Sequence, residues 1–353
     1  MELRTSPAEE VKSYSKKAIR FLNQKDYEKA TQSFTKAFNV DENKFNKYAR
    51  FDYALFKLHG YGQLSSDLNI QNIFGRQIST LKKLENYGFI GKEGSTSDPL
   101  KHLLVNHNLK LIYCSIPKNA CTYFKEALIA NNSSWHEEYQ EYQKSNFNVH
   151  DFLSNKRLGY SLNNLISHLE DETYTKIVIL RNPFERIVSA YLNKIITSKR
   201  VLRFVEKVIN SVSQRNSKTI TVDNRITFQQ FVEYLCYTKD PWLNIHFRPQ
   251  HCFVGNIKFD IVGQFENMNS VIDRLEDKFN IQLKRKKPIN QTSYQDIERK
   301  NKSFHSMYRQ ELCSLDGLPT AKQLFTPELE RMFRKRYALD IEIYERAFNT
   351  NLN

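Results

Sequence analysis

Two apolar runs that break into loops and then resume as amphipathic stretches dominate the hydrophobic pattern of this chain. The first, Leu111-Ile112-Tyr113-Cys114, is β-rich, breaks at Pro117-Lys118-Asn119 and is followed by a helix predicted from Thr122 to Ala130. The second, Lys176-Ile177-Val178-Ile179-Leu180, runs into Arg181-Asn182-Pro183 and a helical stretch through Tyr191. Continuous apolar runs suit strands buried on both faces. The ring-fixed φ of Pro183 suits the first turn of a helix. A helix predicted from about Ser161 to Asp171 lies between the two units, so together they read as a βαβ crossover in a parallel sheet. A further strand is predicted at Phe259 to Gly263, and a helix from Met268 to Phe279.

Elsewhere helical spacing prevails. Val11, Tyr14, Ala18, Phe21 and Leu22 recur on one face, as do Ala30, Phe34, Ala37 and Phe38 after Asp26, which is placed to cap the second helix. A third helix is predicted from about Lys44 to Leu58. Asn23 to Ala30, with Phe34 and Ala37, resembles one tetratricopeptide (TPR) unit, without that repeat's helix-ending proline and tight-packing glycine. Residues 1–60 therefore read as a helical, single TPR-like appendage, either a docking surface for a protein partner or a cap on the main domain. Residues 61–100 read as a polar, glycine-scattered linker with a short helix from about Ile78 to Glu85, and residues 101–353 as the main domain. In that domain helices are predicted on either side of a polar break at Ser213 to Lys218, then over Ile226 to Leu235 with Thr227 as cap. One segment from Leu329 to Phe348 closes the chain.

Composition narrows the class. The 353 residues are 40% hydrophobic and 13% aromatic, enough for a packed core and unlike a disordered chain. The formal charge of +14 favours an anionic partner without choosing among nucleic acid, membrane surface, polyanionic glycan and nucleotide. Lys284-Arg285-Lys286-Lys287 reads as a solvated face. The five cysteines are odd in number and contain no C-x-x-C pair, which argues against a zinc site and a dense disulfide frame. Met1 to Arg20 lacks an apolar core, and no run approaches about 18 apolar residues. The chain is accordingly expected to be soluble and cytoplasmic, with no membrane span. On that expectation the N-x-[ST] triplets at Asn131, Asn132, Asn290 and Asn301 are incidental.

The chemistry gathers at the two loops. A helix N-terminus binds phosphate through its unpaired N–H groups and positive dipole end. Lys118 adds a movable charge there and Thr122 a hydroxyl. Arg181 leaves a strand end, Arg186 lies in the first turns of the next helix, and Ser189 sits about two turns in. Arginine offers a fork for phosphate, the competing role of Arg181 being an ion pair with Glu185. Two phosphate sites at neighbouring strand ends fit a nucleotide phosphorylated at two positions. A nucleotide kinase or NTPase would carry G-x-x-x-x-G-K-[ST], and the loop at Lys118 has no glycine. A nucleic-acid-binding protein would carry a groove-reading or RNA-stacking motif, and none stands out. A basic glycan-binding protein without transferase activity is the remaining alternative.

Cys114-Ser115-Ile116-Pro117-Lys118-Asn119-Ala120-Cys121-Thr122 resembles the 5′-phosphosulfate loop of the Golgi-type carbohydrate sulfotransferases, which include the chondroitin and dermatan enzymes. Leu180 through Tyr191 resembles their 3′-phosphate motif. Ile245 to Gln250 and Phe259 to Glu266 resemble later landmarks, so that the likeness covers about residues 105 to 345. The resemblance implies a three-layer α/β, P-loop-like domain around a central parallel sheet. It implies 3′-phosphoadenosine 5′-phosphosulfate (PAPS) as donor, a carbohydrate acceptor, and no metal. It places Pro117, Lys118, Asn119, Ala120, Cys121 and Thr122 around the 5′ end of the donor, and Arg181, Arg186 and Ser189 around its 3′-phosphate. Pro288 to Thr292 resembles a loop that closes over the nucleotide.

Sulfuryl transfer needs charge relief on the departing phosphate, for which Lys118 is suited, and a base for the acceptor hydroxyl. His136, His150 and His168 lie between the two motifs. Val149-His150-Asp151 resembles the family position of a histidine base, which makes His150 the expected base. His246 is the second candidate, with a packed structural role as its other reading. Animal members are membrane-anchored and disulfide-bonded. This chain shows no anchor and keeps one cysteine in Gln250-His251-Cys252-Phe253-Val254, so it resembles a soluble bacterial-type relative whose acceptor need not be a vertebrate glycosaminoglycan. The basic residues from Lys199 to Arg215 would suit an acidic saccharide.

Overall fold

The computed structural model describes residues 6–24, 26–41, 83, 86–87, 102–144, 149–150, 152–153, 162–199, 201–217, 219–283 and 303–352. The helix expected from Lys44 to Leu58, nearly all of the 61–100 linker, the charge run at Lys284 and the segment Pro288 to Thr292 lie outside them. Two compact units partition the chain. One contains the N-terminal helices with Leu162–Ser167 and Gly255–Ile257, and the other holds the sheet and the remaining helices.

In the first unit, α1 (Pro7–Asn23) and α2 (Tyr27–Val40) pack on each other. Val11, Ala18, Ala30, Phe34 and Ala37 are fully buried, the face that helical spacing marked out. Asp26 caps α2 by accepting from the backbone N–H of Lys29 at 3.2 Å.

In the second unit, β1 (Leu103–Asn106), β2 (Leu111–Cys114), β3 (Thr175–Leu180) and β4 (Ile261–Gln264) form one sheet in that order. β2, β3 and β4 run parallel, whereas β1 folds back antiparallel on β2. This edge strand was not expected from the sequence, since Leu103-Leu104-Val105 is too short to stand out. It forms because a turn ending at Lys110, in the left-handed region with φ 47°, returns the chain against β2. The register sets Cys114 beside Val178, so the loops that follow β2 and β3 emerge side by side.

The helices of this unit are α3 (Cys121–Ala130), α4 (Ser133–Lys144), α5 (Leu162–Glu170, partly in the first unit), α6 (Pro183–Tyr191), α7 (Arg203–Arg215), α8 (Phe228–Tyr237), α9 (His251–Val254), α10 (Met268–Phe279), α11 (Arg309–Cys313), α12 (Ala321–Leu324), α13 (Pro327–Arg336) and α14 (Ala338–Phe348). Alternation along the strands sends Leu111, Tyr113, Ile177, Ile179 and Ile261 to one face, where they meet Phe124 and Leu128 of α3 and Val271 and Leu275 of α10. Gly263 permits that approach, because a Cβ there would lie 2.6 Å from Ile179 and 2.9 Å from Val271. Ile112, Cys114, Val178 and Leu180 are buried on the opposite face. Both faces are thus covered, as parallel strands require.

A second core joins α6, a π-helical turn at Leu192–Ile196, α7, α8 and α13 through Tyr191, Phe228, Phe231, Phe247 and Phe333. Thr227 caps α8 in a reciprocal box with Gln230. The C-terminal segment, expected as one helix, is two. Apolar spacing runs uninterrupted through Phe333, Tyr337 and Ile341, but Tyr337 leaves the helical region at φ −109°, ψ 27°. Its ring stacks on Phe333 and its hydroxyl donates to the Phe247 carbonyl. The break carries Asp340, 1% exposed, to the backbone of Gln250.

Candidate active site

The loop after β2 performs a glycine-type turn without glycine. Lys118 (φ 73°) and Ala120 (φ 54°) both adopt left-handed backbone, at a cost of roughly 1–2 kcal/mol each. Alternation of right- and left-handed residues curls a backbone so that successive N–H groups converge on an anion. Ala120 is the N-cap of α3 and offers no side-chain hydrogen bond to its first turn. The start of α3 therefore keeps its N–H groups for a ligand.

Two arginines hold this loop from behind. Arg181 donates from Nη1 to the Lys118 carbonyl at 3.0 Å, and Arg186 from Nε to the Pro117 carbonyl at 3.1 Å. Arg181 also lies over the ring of Phe265 at 4.3 Å. Both guanidiniums are buried, yet Nε of Arg181 and Nη2 of Arg186 have no hydrogen-bond partner. No carboxylate pairs with either among the described residues, so the alternative ion pair of Arg181 with Glu185 does not form. Asn182 caps α6 by accepting from Phe184 and Glu185 N–H, which orients Ser189, buried on that helix.

The side chain of Asn119 turns inward. Its amide donates to the Ile179 carbonyl at 2.8 Å and to Gln250 Oε1 at 2.6 Å. Its place is in holding the loop to β3, which leaves the backbone around it to meet a ligand. Gln250, the last residue of the Ile245–Gln250 segment, completes the link. Oε1 also accepts from the Arg181 N–H and Nε2 donates to the Arg181 carbonyl. Its own N–H donates to Asp340 Oδ2 at 2.6 Å. The sequence gives no sign of this role, which depends on a contact 69 residues apart with Arg181 and 90 with Asp340.

The site is cationic and uncompensated. The Lys118 ammonium has no hydrogen bond or ion pair among the described residues. Burial and the charges of Arg181 and Lys194 bring its ammonium down to about 8, partly opposed by Cys121. Lys194, on the π-helical turn, is also lowered by burial. It was missed in the sequence because the turn that redirects it leaves no sequence mark. π-helical turns often accompany functional sites.

Thr122 and His150 meet, with Thr122 Oγ1 3.1 Å from His150 Nε2. Lys125, buried on α3, places Nζ 2.9 Å from His150 Nδ1. An ammonium only donates, so Nδ1 accepts, Nε2 carries the hydrogen, and Thr122 keeps its own hydroxyl hydrogen for another acceptor. His136 is exposed beside Gln140, and His168 packs against His107 and Tyr174.

Asp240, His251 and Cys252 bring potential metal-ligand atoms within 4.8 Å of one another. Their charges are already matched, with Asp240 pairing to Arg336 and His251 Nδ1 lying 2.9 Å from Asp340 Oδ1. Burial pulls the His251 imidazolium down, but the hydrogen bond and charge of Asp340 and the adjoining Cys252 raise it to about 10. This group anchors the start of α9 and thereby Gln250. All five cysteines are free thiols, and no helix among the described residues is long and apolar enough to cross a membrane.

The sequence is similar to those of known proteins. Carbohydrate sulfotransferase 11 of Rattus norvegicus is 31% identical over 186 residues, covering 49% of this chain and 51% of the relative. Carbohydrate sulfotransferase 11 of Danio rerio is 32% identical over 200 residues, 54% of each chain. Carbohydrate sulfotransferase 9 of Homo sapiens is 26% identical over 240 residues, 64% of this chain and 52% of the relative. The chain thus spans about half the length of the curated relatives it matches. No solved structure matches it. Residues 101–347, which contain both strand-end loops, the two arginines and Gln250, match the model of the sulfotransferase family, and the chain belongs to that family.

Proposed function

We propose that this protein transfers a sulfuryl group from PAPS to a hydroxyl of a carbohydrate. The observation that carries the reading is the pair of buried guanidiniums with unpartnered nitrogens beside an uncapped helix N-terminus. Such donors are costly to bury unless an anion completes them, and the residues present fit a nucleotide with phosphates at both ends. The relatives' names supply the carbohydrate acceptor.

When bound, the donor supplies a sulfuryl group on a phosphate leaving group. Arg181, Arg186 and Ser189 would hold its 3′-phosphate. The backbone N–H groups of Ala120, Cys121 and Thr122, the Thr122 hydroxyl and Lys118 would hold the 5′ end, with Pro117 and Asn119 setting the loop that presents them. Lys118 would neutralise charge developing on the leaving phosphate, an electrostatic contribution that needs no movement once the cation is in place. The contacts of His150 suit it to aligning Thr122, since its lone pair at Nδ1 is occupied by Lys125. The exposed basic residues Lys199, Arg203, Lys207 and Arg215 support an acidic saccharide.

We read the second unit as the three-layer, P-loop-like domain of residues 101–353. The α1–α2 pair is read as a TPR-like appendage in residues 1–60, a reading supported by its packing through small residues, with docking of a protein partner and capping of the main domain as its two alternative roles. A test of the activity uses sulfur-35-labelled PAPS with a saccharide panel that includes unsulfated chondroitin. Label should enter at least one saccharide and be lost in Lys118→Ala by a factor of about 100 or more. A folded wild-type chain that neither binds 3′-phosphoadenosine 5′-phosphate nor labels any saccharide would contradict the reading.

A further inference from the structure

His246 lies in the turn that follows the 3-10 helix Asp240–Trp242, and its ring is held in a defined state. Asn244 Oδ1 lies 3.1 Å from the His246 backbone N–H and 2.7 Å from Nδ1. The backbone N–H only donates, which identifies the shared Asn244 atom as the amide oxygen. An oxygen that accepts from Nδ1 requires the hydrogen on Nδ1, and the lone pair is then on Nε2. Phe204 fixes the ring plane, stacked at 6.0 Å between centroids and 17° between planes. Among the described residues nothing hydrogen-bonds Nε2, and Nε2 is not among the buried side-chain atoms that lack a partner. His150 has the opposite arrangement, with both ring nitrogens engaged by Lys125 and Thr122.

Burial, followed by the charges of Lys194, Lys118 and Arg186, holds His246 well below the ordinary imidazole range. These three are cations of the donor site, so the ring shares its electrostatic environment. An anionic donor would offset those charges and move the imidazole back toward working pH, where a general base is most effective.

We propose that His246, through Nε2, is the base that takes the proton of the acceptor hydroxyl. The inference rests on the sulfuryl-transfer reading. The acceptor oxygen forms a bond to sulfur as the bond from sulfur to the 5′-phosphate oxygen breaks. The hydroxyl proton passes to Nε2, the electron pair of the broken bond leaves on the phosphate, and the products are the sulfate ester and 3′-phosphoadenosine 5′-phosphate.

The test has two arms on the full chain. With nitrogen-15-labelled histidine and His246→Gln for assignment, long-range proton–nitrogen spectra at pH 7 should show a neutral His246 ring with its hydrogen on Nδ1. A hydrogen on Nε2, or an imidazolium, in the free protein overturns the proposal. In the second arm, release of 3′-phosphoadenosine 5′-phosphate from PAPS is followed with unsulfated chondroitin, or with water as acceptor where chondroitin adds nothing. His246→Ala should lower kcat by about 10²–10⁴-fold and leave the Kd for 3′-phosphoadenosine 5′-phosphate within about 3-fold. His150→Ala should raise that Kd instead. A His246→Ala rate within about 3-fold of wild type overturns this assignment alone, whereas failure of the wild type to bind the nucleotide overturns the transferase reading and the base with it.

Discussion

Gln250 grips the backbone of Arg181 in both directions, accepting from its N–H at 3.1 Å and donating to its carbonyl at 2.8 Å. The same Oε1 accepts from Asn119, so one buried amide ties the loop after β2 to the end of β3. Gln250→Leu would strand a buried N–H on each of Arg181 and Asn119 and leave the Arg181 carbonyl without this donor. The expected loss is on the order of 2–4 kcal/mol of stability, read by denaturant titration. A fall in affinity for 3′-phosphoadenosine 5′-phosphate should accompany it, although Gln250 is assigned no contact with the nucleotide.

Arg186 is expected to matter to the fold as well as to the ligand. Its Nε holds the Pro117 carbonyl, while Nη2 is buried without a partner and on the proposed reading would meet the 3′-phosphate. Lysine cannot supply both from one fork. Arg186→Lys should therefore lower both the melting temperature and nucleotide affinity, and added 3′-phosphoadenosine 5′-phosphate should raise the melting temperature less than in wild type. An unchanged ligand-induced shift would argue against Arg186 at the 3′-phosphate.

Lys118 gives nucleotide binding a pH signature. Its free-state value of about 8 should rise when an anion binds. Protons are then taken up on binding, and affinity is greatest below about 8 and declines as pH climbs above it. Calorimetry from pH 7 to 9 in buffers of different ionisation enthalpy would measure the uptake. Lys118→Met should remove it, and a wild-type affinity that rises across this range would contradict the assignment.

His251 gives stability a separate pH dependence. Its folded value of about 10 lies above the ordinary 6.5 because Asp340 and Cys252 overcome the burial penalty. The stabilisation is complete below about 6.5 and is lost as pH rises through about 10. The difference in melting temperature between wild type and His251→Gln should narrow steadily over that interval. A constant difference would show that the Asp340 contact does not depend on the imidazolium.

Much of this was legible because it is local. Apolar runs marked β2 and β3, Pro183 marked the start of α6, Asp26 and Thr227 marked their caps, and α10 was expected from Met268 to Phe279. The two loops were visible as a lysine and an arginine where strands end. Gln250, Asp340 and Lys194 were not, because their roles arise from contacts across the fold or from a π-helical turn. Left-handed backbone at Lys118 and Ala120 was equally hidden, since glycine is the usual mark of such a turn. The chain break at Tyr337 was hidden by apolar spacing that continues across it. Both His150 and His246 could be nominated from the sequence, but only the partners of their ring nitrogens distinguish them.

The most direct test of the central claim, a two-phosphate clamp at adjoining strand ends, is calorimetric titration with 3′-phosphoadenosine 5′-phosphate and with adenosine 5′-phosphate. Wild type should bind the first at one site and lose affinity for it in both Lys118→Ala and Arg181→Ala. The 3′-phosphate should add at least about 1.5–3 kcal/mol, in line with charged hydrogen bonds, and Arg181→Ala should erase most of that difference. Equal affinity of wild type for the two nucleotides, or no binding of either by a folded chain, would contradict the clamp.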